Sequence, residues 1–319
     1  MRIWISGCGG MMGSHLSGAL VAAGHDVSAS YYKPTVDPAD LTDVPLEEVD
    51  IREWCSVYDS LMRFRPDAVF HLAAQSYPAA SWQRPIETLE TNVIGTANVL
   101  EAVRRMGTNI RVVVAGSSAE YGAIDPERVP VAETAPLLPL HPYGVSKVAT
   151  DLLAYQYWAG FGLDAVRARI FNCTGPRKVG DALSDFVRRM VWLERYPEAN
   201  VIRVGNLETR RTIVDVRDLN RGLILLLERG KSGEVYNLGG STAYSMSVIL
   251  SRVLERATRR DIVPEVDPKL LRPTDEPIIW ADCTKIKAAT GWEPAISLDQ
   301  TIDDMLSYWR QKPDRALVV

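Results

Sequence analysis

The sequence predicts an α/β protein, a doubly wound parallel sheet followed by a smaller C-terminal α/β lobe. Three observations carry this. Short apolar runs alternate with amphipathic segments through the first two-thirds of the 319 residues. A glycine-rich turn joins the first such run to the first helical segment. After Asn172 the texture changes, and Pro and Gly separate shorter, mixed elements. Alternating strands and helices bury a parallel sheet between two helical layers, because each crossover returns over a sheet face.

Strands are expected at 2–6, 26–30, 68–72, 111–115 and 164–170, and helices at 13–23, 54–64, 86–106 and 143–160, where apolar residues recur at helical spacing. The Pro- and Asp-containing stretch 36–48 reads as a loop. The second lobe is expected to hold helices at 184–194 and 216–228, a strand at 234–238, a helix at 247–258, a Pro-rich stretch 264–277 and a last helix 298–310. The division is therefore residues 1–172 for the sheet domain and 173–319 mainly for the lobe, with some chain crossing back.

Bulk properties exclude several classes. With 46% apolar and 24% charged residues and a net charge of -4, the chain has no basic surplus for nucleic acid or an anionic membrane. Cys8, Cys55, Cys173 and Cys283 lie far apart in sequence, which argues for reduced thiols and against a disulfide framework or a metal site. No apolar run approaches the ~20 residues of a membrane span, and Met1-Arg2 leads straight into the first strand. A soluble, cytoplasmic protein is expected.

The first strand ends in Gly7-Cys8-Gly9-Gly10-Met11-Met12-Gly13, and a helix follows at once. Gly7 suits a tight turn, Gly10 lets the backbone approach a diphosphate, and Gly13 lets helix and strand pack closely. The free N–H groups and positive dipole end of the helix, at Met11 and Met12, complete a dinucleotide cradle of the Rossmann-like kind. The second strand ends near Tyr31 with Lys33 just beyond. No carboxylate stands there to repel a ribose 2′-phosphate, so NADP(H) is favoured, with NAD(H) as the alternative.

Tyr143 and Lys147 stand at i and i+4, one helical turn apart. A free phenol has a pKa near ~10. A fixed ammonium beside it, with the positive ring of an oxidised nicotinamide, would make it a usable acid or base. Ser117 closes the fourth strand-like run, where strand ends of such sheets face the ligand crevice. These three residues are the expected catalytic group.

With these motifs the chain resembles the extended short-chain dehydrogenase/reductases that act on sugar nucleotides. The resemblance runs through Asp50-Ile51-Arg52, His71-Leu72-Ala73-Ala74-Gln75-Ser76, Asn92-Val93-Ile94-Gly95-Thr96, Gly116-Ser117-Ser118-Ala119-Glu120-Tyr121-Gly122, Tyr143…Lys147 and Arg169-Ile170-Phe171-Asn172-Cys173-Thr174-Gly175-Pro176. It implies that Asp50, Ile51, Leu72, Ala73, Ala74, Gln75 and Asn92 join Tyr143 and Lys147 in holding the cofactor. Stretches 136–147, 204–211 and 271–277 are most similar to the GDP-mannose 4,6-dehydratase and GDP-4-keto-6-deoxy-D-mannose reductase group. On that resemblance Ser76, Ser118, Asn172, Arg188, Arg211, Arg272 and Asp275 face the substrate, with Arg211 and Arg272 on its diphosphate. Guanidinium groups bind phosphate in bidentate fashion. The family also implies a homodimer through the helices at 86–106 and 143–160, whose outer positions include Leu152, Leu153 and Tyr157.

The reaction is read from what is missing. The family's 4,6-dehydratases carry a carboxylate two residues before the Tyr-Gly pair, and here Ala119 stands there. Its 3,5-epimerase/reductases carry a Cys at that place and a His shortly after the Asn-x-x-Gly-Pro motif, and here Ala119 and Arg177 stand there. Adjacent Glu120 is expected to point away from the site, because neighbours on an extended segment face opposite sides. Reduction of the 4-keto group of a 4-keto-6-deoxy sugar nucleotide, GDP-4-keto-6-deoxy-D-mannose to GDP-D-rhamnose, is the expected reaction. A 4-epimerase with retained NAD, a dehydratase with an unusual base, and a cofactor-binding protein without turnover are the alternatives.

Overall fold

The alternation of strand and helix produces a parallel sheet covered on both faces. The computed structural model describes residues 1–41, 44–107, 109–122, 124–271 and 274–317. Its first strands are β1 (Arg2–Ser6), β2 (Asp26–Tyr31), β3 (Leu46–Glu48), β4 (Ala68–His71), β5 (Arg111–Ser117) and β6 (Ala165–Ile170). Later strands are β7 (Cys173–Thr174), β8 (Val201–Val204), β9 (Arg210–Thr212), β10 (Val214–Asp215), β11 (Val235–Leu238), β12 (Ala243–Ser245), β13 (Val263–Val266) and β14 (Ile278–Ile279). Among the helices, α1 (Met11–Ala22), α2 (Trp54–Phe64), α3 (Pro78–Gln83), α4 (Pro85–Leu89), α5 (Gly95–Arg105) and α6 (Pro142–Phe161) lie in the sheet domain. They are followed by α7 (Ala182–Arg195), α8 (Val216–Arg229), α9 (Met246–Leu254), α10 (Thr284–Thr290) and α11 (Leu298–Arg310).

The main sheet has the order β11-β6-β5-β4-β1-β2-β3, parallel throughout. Alternation along each strand sorts its side chains between two cores. Ile3, Ile5 and Phe70 pack with Leu16 and Leu20 of α1 and with Leu219 and Leu223 of α8. Trp4, Val69 and Val112 pack with Leu61 of α2, Leu100 of α5 and Ala154 of α6 on the other face. A separate core in the lobe joins α7, α9 and α11 to β8. The order reverses between β1 and β4, so their carboxyl ends, Ser6 and His71, flank the crevice where ligands of such sheets bind.

Several elements differ from expectation. Stretch 36–48 is not all loop, since Leu46–Glu48 forms β3 on the open edge of β2; three residues with two acids carry no strand signal. The helix expected over 86–106 is interrupted by a π turn at Glu90–Ile94. There the Asn92 carbonyl accepts from the Thr96 hydroxyl (2.5 Å) and the Thr150 hydroxyl (3.0 Å), which widens the turn. Finally, Val235–Leu238 does not belong to the lobe but pairs with β6 as the edge of the main sheet.

Candidate active site

The glycine turn is shaped by two different demands. Gly7 has φ +80°, and a Cβ on it would stand 2.7 Å from the Ala73 backbone, while one on Gly13 would stand 2.5 Å from the Gly7 carbonyl. Packing of the turn therefore requires both. A Cβ on Gly10 would meet nothing nearer than 3.5 Å, so the protein's own packing does not call for glycine there. Helix α1 starts just after it with no side-chain cap. The N–H groups of Met11 and Met12 thus face the space beside Gly10, a cradle fitted to a diphosphate.

At the end of β2, Tyr31 is half-buried and Lys33, with φ +46°, is exposed. The Lys33 ammonium lies 5.1 Å from the Tyr32 ring centre and the Arg52 guanidinium 5.6 Å from it. Arg52 also clasps Asp50 (2.5 and 3.0 Å), holding that carboxyl below its ordinary range. Ile51 is buried beneath, in the space left by Gly95.

From β4 the chain enters Leu72–Gln75 under tight control. Ser6 Oγ accepts from the Leu72 and Ala73 N–H groups (both 3.1 Å) and lies 2.8 Å from His71 Nδ1. Because Ser6 already accepts two donors, its proton goes to Nδ1, and His71 Nε2–H donates to Thr96 (2.9 Å). Burial, with the Lys147 charge, pushes the His71 pKa down to about 3, so the ring is neutral. Ala74 is half-buried between this anchor and the next. Asn92 accepts from Gln75 N–H (2.8 Å) and donates to Ser146 Oγ (2.8 Å), tying the cofactor-side loop to α6. The Gln75 side chain itself is held by the Tyr77 backbone and the Thr88 hydroxyl.

Helix α6 is started by His141, whose Nδ1 accepts from Gly144 N–H (3.0 Å), and by Pro142 at its first position. It places Tyr143 and Lys147 beside Ser117 at the end of β5. The Tyr143 phenol is hydrogen-bonded to the Ser117 side chain, and Lys147 Nζ donates to the Ala115 carbonyl (2.8 Å). Burial raises the phenol pKa to about 12, with Ser117 lowering and Glu120 raising it; burial lowers Lys147 to about 8, with Glu120 opposing. The acidity of Tyr143 is therefore governed by burial, Ser117 and Glu120, a different set from the ammonium expected to tune it.

Glu120 does stay out of the open crevice, but for another reason than an extended chain. Residues Ser118–Glu120 form a 3-10 turn capped by Ser117, which folds Glu120 underneath. Ala119 is half-buried on this turn, and its carbonyl would be 2.6 Å from a Cβ on Gly144.

On the substrate side, Ser76 is exposed and Ser118 buried. Asn172 Nδ2 is buried and has no hydrogen-bond partner among the described residues. Arg211 and Asp275 are brought together (3.1 Å) where β9 meets the segment before β14. Arg188 instead holds the Ala316 carbonyl (2.8 Å) and lies 5.2 Å from the Trp309 ring centre, so its guanidinium binds the C-terminal segment. Arg272 falls outside the described residues. One cation escaped the sequence reading, which weighed Arg177 only as a missing histidine. It has φ +72°, and the Pro176 carbonyl before it sits 3.1 Å from His15 on α1. Its charge reaches Cys8 and His15, so it stands near the glycine cradle.

A glycine cradle and a Ser-Tyr-Lys cluster at the carboxyl ends of one parallel sheet define an NAD(P)-dependent sugar-nucleotide enzyme of the extended short-chain dehydrogenase/reductase class. More narrowly, the chain belongs to the GDP-mannose 4,6 dehydratase family, whose sequence profile matches residues 4–305. It is 29% identical over 313 residues to GDP-6-deoxy-D-mannose reductase of Pseudomonas aeruginosa, with 98% of each chain covered. The structure of RMD from Pseudomonas aeruginosa complexed with NADPH matches with a TM-score of 0.85 at 27% identity, covering 97% of this chain and 98% of that one. UDP-glucose 4-epimerase of Thermotoga maritima, solved with UDP-glucose, matches with a TM-score of 0.90 at 26% identity, covering 98% and 99%.

Proposed function

We propose that the protein uses NADPH to reduce the 4-keto group of a nucleotide-activated 4-keto-6-deoxy sugar, GDP-4-keto-6-deoxy-D-mannose being converted to GDP-D-rhamnose. The observation that carries this reading is Ala119. A methyl group occupies the position of the dehydratase base, and the neighbouring carboxylate of Glu120 is buried against Ser117 N–H and Arg169. Without a base for the C5 proton, the acid–base equipment is Ser117, Tyr143 and Lys147 alone.

The cofactor, when bound, supplies hydride to the carbonyl carbon. Tyr143, kept as a phenol by its raised pKa, donates its proton to the carbonyl oxygen as negative charge develops there. Ser117 hydrogen-bonds the same oxygen. Lys147, anchored on Ala115, holds the cofactor ribose. Gly10, Met11 and Met12 hold the cofactor diphosphate, with Arg177 beside them. Lys33 and Arg52, two cations gathered around Tyr32 just past the end of β2, would suit a 2′-phosphate, and the Asp50 carboxylate is already clasped by Arg52, so NADP(H) is favoured. Asn172 offers its buried Nδ2 donor to the sugar, and Arg211, held in place by Asp275 and the Glu276 carbonyl, brings positive charge to the side of the substrate diphosphate.

The test is NADPH oxidation by the purified protein with GDP-4-keto-6-deoxy-D-mannose. Tyr143→Phe is expected to lower kcat by about 10²–10⁴-fold while leaving the NADPH Kd nearly unchanged. Full activity in that variant overturns the mechanism. A second reading, a 4-epimerase, is favoured by the close match to the UDP-glucose 4-epimerase structure. It predicts protein purified with tightly held NAD that interconverts UDP-sugars without added cofactor.

A homodimer belongs to the same proposal. Ile94, Leu152, Tyr155 and Phe161 are exposed on the paired α5 and α6 region. Leu153 and Tyr157 contribute less than expected from sequence, because both pack partly against the sheet core.

A further inference from the structure

The chain that leaves β2 is held at both ends, by the glycine turn at one and by the last long helix of the lobe at the other. Cys8 N–H donates to the Ser30 carbonyl of β2 (2.8 Å), and the Gly9 carbonyl accepts from the N–H groups of Thr35 (2.9 Å) and Val36 (3.1 Å). A Cβ on Gly9 would stand 2.9 Å from Pro34 Cβ and 3.2 Å from Tyr31 Cβ, so the absence of a side chain there permits this close seating. Val36 and Leu41 are buried. Lys33 stands at the start of the seated segment, with the φ of +46° already noted.

Further along, Asp37 starts a 3-10 turn over Pro38–Asp40, its Oδ1 accepting from Ala39 N–H (3.1 Å). Side chains three residues apart on such a turn eclipse each other, so Asp37 and Asp40 present two carboxylates on one side. Two groups from the end of α11 meet them. The Tyr308 hydroxyl donates to Asp40 Oδ2 (2.5 Å), and Lys312 Nζ donates to Asp40 Oδ2 (2.8 Å) and Asp37 Oδ2 (3.4 Å). The Lys312 ammonium also lies 4.8 Å from the Tyr308 ring centre. The Lys312 and Asp40 side chains are only 15% and 18% exposed, so solvent screens their attraction less than that of an open surface pair.

The far side of this clasp is firmly rooted. Ile302, Met305, Leu306 and Trp309 of α11 are buried in the lobe core with residues of α7 and α9. The charges have their own consequence. Two carboxylates in a segment seated on a diphosphate cradle oppose the binding of an anion by Coulomb repulsion, and Lys312 offsets them.

We propose that Tyr308 and Lys312 are positioning residues for the cofactor: by clasping Asp37 and Asp40 they hold segment 33–41 against the glycine turn and strengthen binding of the dinucleotide's adenosine end. The inference rests on the dinucleotide reading of Gly7–Gly13 and extends the cofactor site to a helix of the lobe.

NADPH binding to the purified full chain, followed by the fluorescence of the reduced nicotinamide, tests it. Lys312→Met and Tyr308→Phe are each expected to raise the NADPH Kd by at least about threefold and the KM for NADPH in step, with kcat at saturating NADPH retained. Lys312→Arg keeps the cation and should bind NADPH as the wild type does. In the cofactor-free protein the Thr35 and Val36 amides should exchange faster with deuterium in Lys312→Met than in the wild type. Arg310, also on α11, pairs with Glu194 and the Arg256 carbonyl within the lobe, so Arg310→Met is expected to leave the NADPH Kd unchanged. An unaltered Kd in either clasp variant, or an equal rise in Arg310→Met, overturns the proposal; if one clasp variant fails to fold, the other decides. Should the wild type prefer NADH, the same comparison is made with NADH, and only the 2′-phosphate preference falls. A wild-type protein that binds neither dinucleotide defeats the cradle reading and this proposal with it, a result distinct from any difference among variants.

Discussion

His71 shows what a single buried side chain does to the pH response of the molecule. Its pKa falls from 6.5 to about 3, because the imidazolium would be desolvated next to Lys147. The unfolded chain therefore binds a proton that the native state refuses. The stability linked to this group is fully present above pH 6.5 and is lost as pH falls from there towards about 3, at up to ~1.4 kcal/mol per pH unit. Urea midpoints measured across that window should fall with acidity, and His71→Gln should flatten the dependence while lowering the plateau; an unchanged slope would remove His71 as the cause. Lys147 sets the opposite limit on activity. With its pKa near 8, the ammonium proposed to hold the cofactor ribose is lost above that pH. The kcat/KM for reduction should be level below pH about 8 and decline above it. Ser117, Tyr143 and Lys147 were legible in the sequence because helical spacing and a strand end are local features. Glu120 was not, because its direction depends on a 3-10 turn that Ser117 caps and on Arg169, which arrives from a strand far along the chain.

At the scale of elements, the critical contact is between the 3-10 turn and the start of α6. Gly144 allows it. A methyl group there would stand 2.6 Å from the Ala119 carbonyl and 2.9 Å from Pro139 Cβ, so helix and turn would have to separate. Gly144→Ala should lower stability by about 1–3 kcal/mol. It should also reduce kcat by about 10²-fold, since misplacement of a reacting group is that costly. Thermal melting and kcat measured on one preparation check both, and a wild-type kcat would show that the spacing tolerates the shift. The π turn at Glu90–Ile94 teaches a related lesson about legibility. Apolar periodicity over 86–106 reports one continuous helix, and it cannot register that hydroxyls from Thr96 and Thr150 claim the Asn92 carbonyl. The same turn lets the Asn92 side chain join the cofactor-side loop to α6. The glycine cradle was readable because it is contiguous in sequence, whereas β3 was not, since its pairing comes entirely from the edge of β2.

For the whole molecule, the proposed dimer places an apolar helix face between two copies. Leu152 is 51% exposed on α6, and Leu152→Arg should shift the protein to monomers in analytical ultracentrifugation while leaving NADPH binding intact. A dimer that survives this change would place the interface elsewhere. The edge position of β11 has a different consequence, one of timing during synthesis. β6 leaves the ribosome before β8, β9, β10 and β11 have been made, so the nascent sheet presents an open edge while much of the lobe is still being translated. Such an edge invites pairing with other chains. Chains that stop before Val235 should therefore aggregate or be degraded rather than persist as a cofactor-binding fragment. Translation must pass well into the lobe before the first domain has anywhere safe to rest.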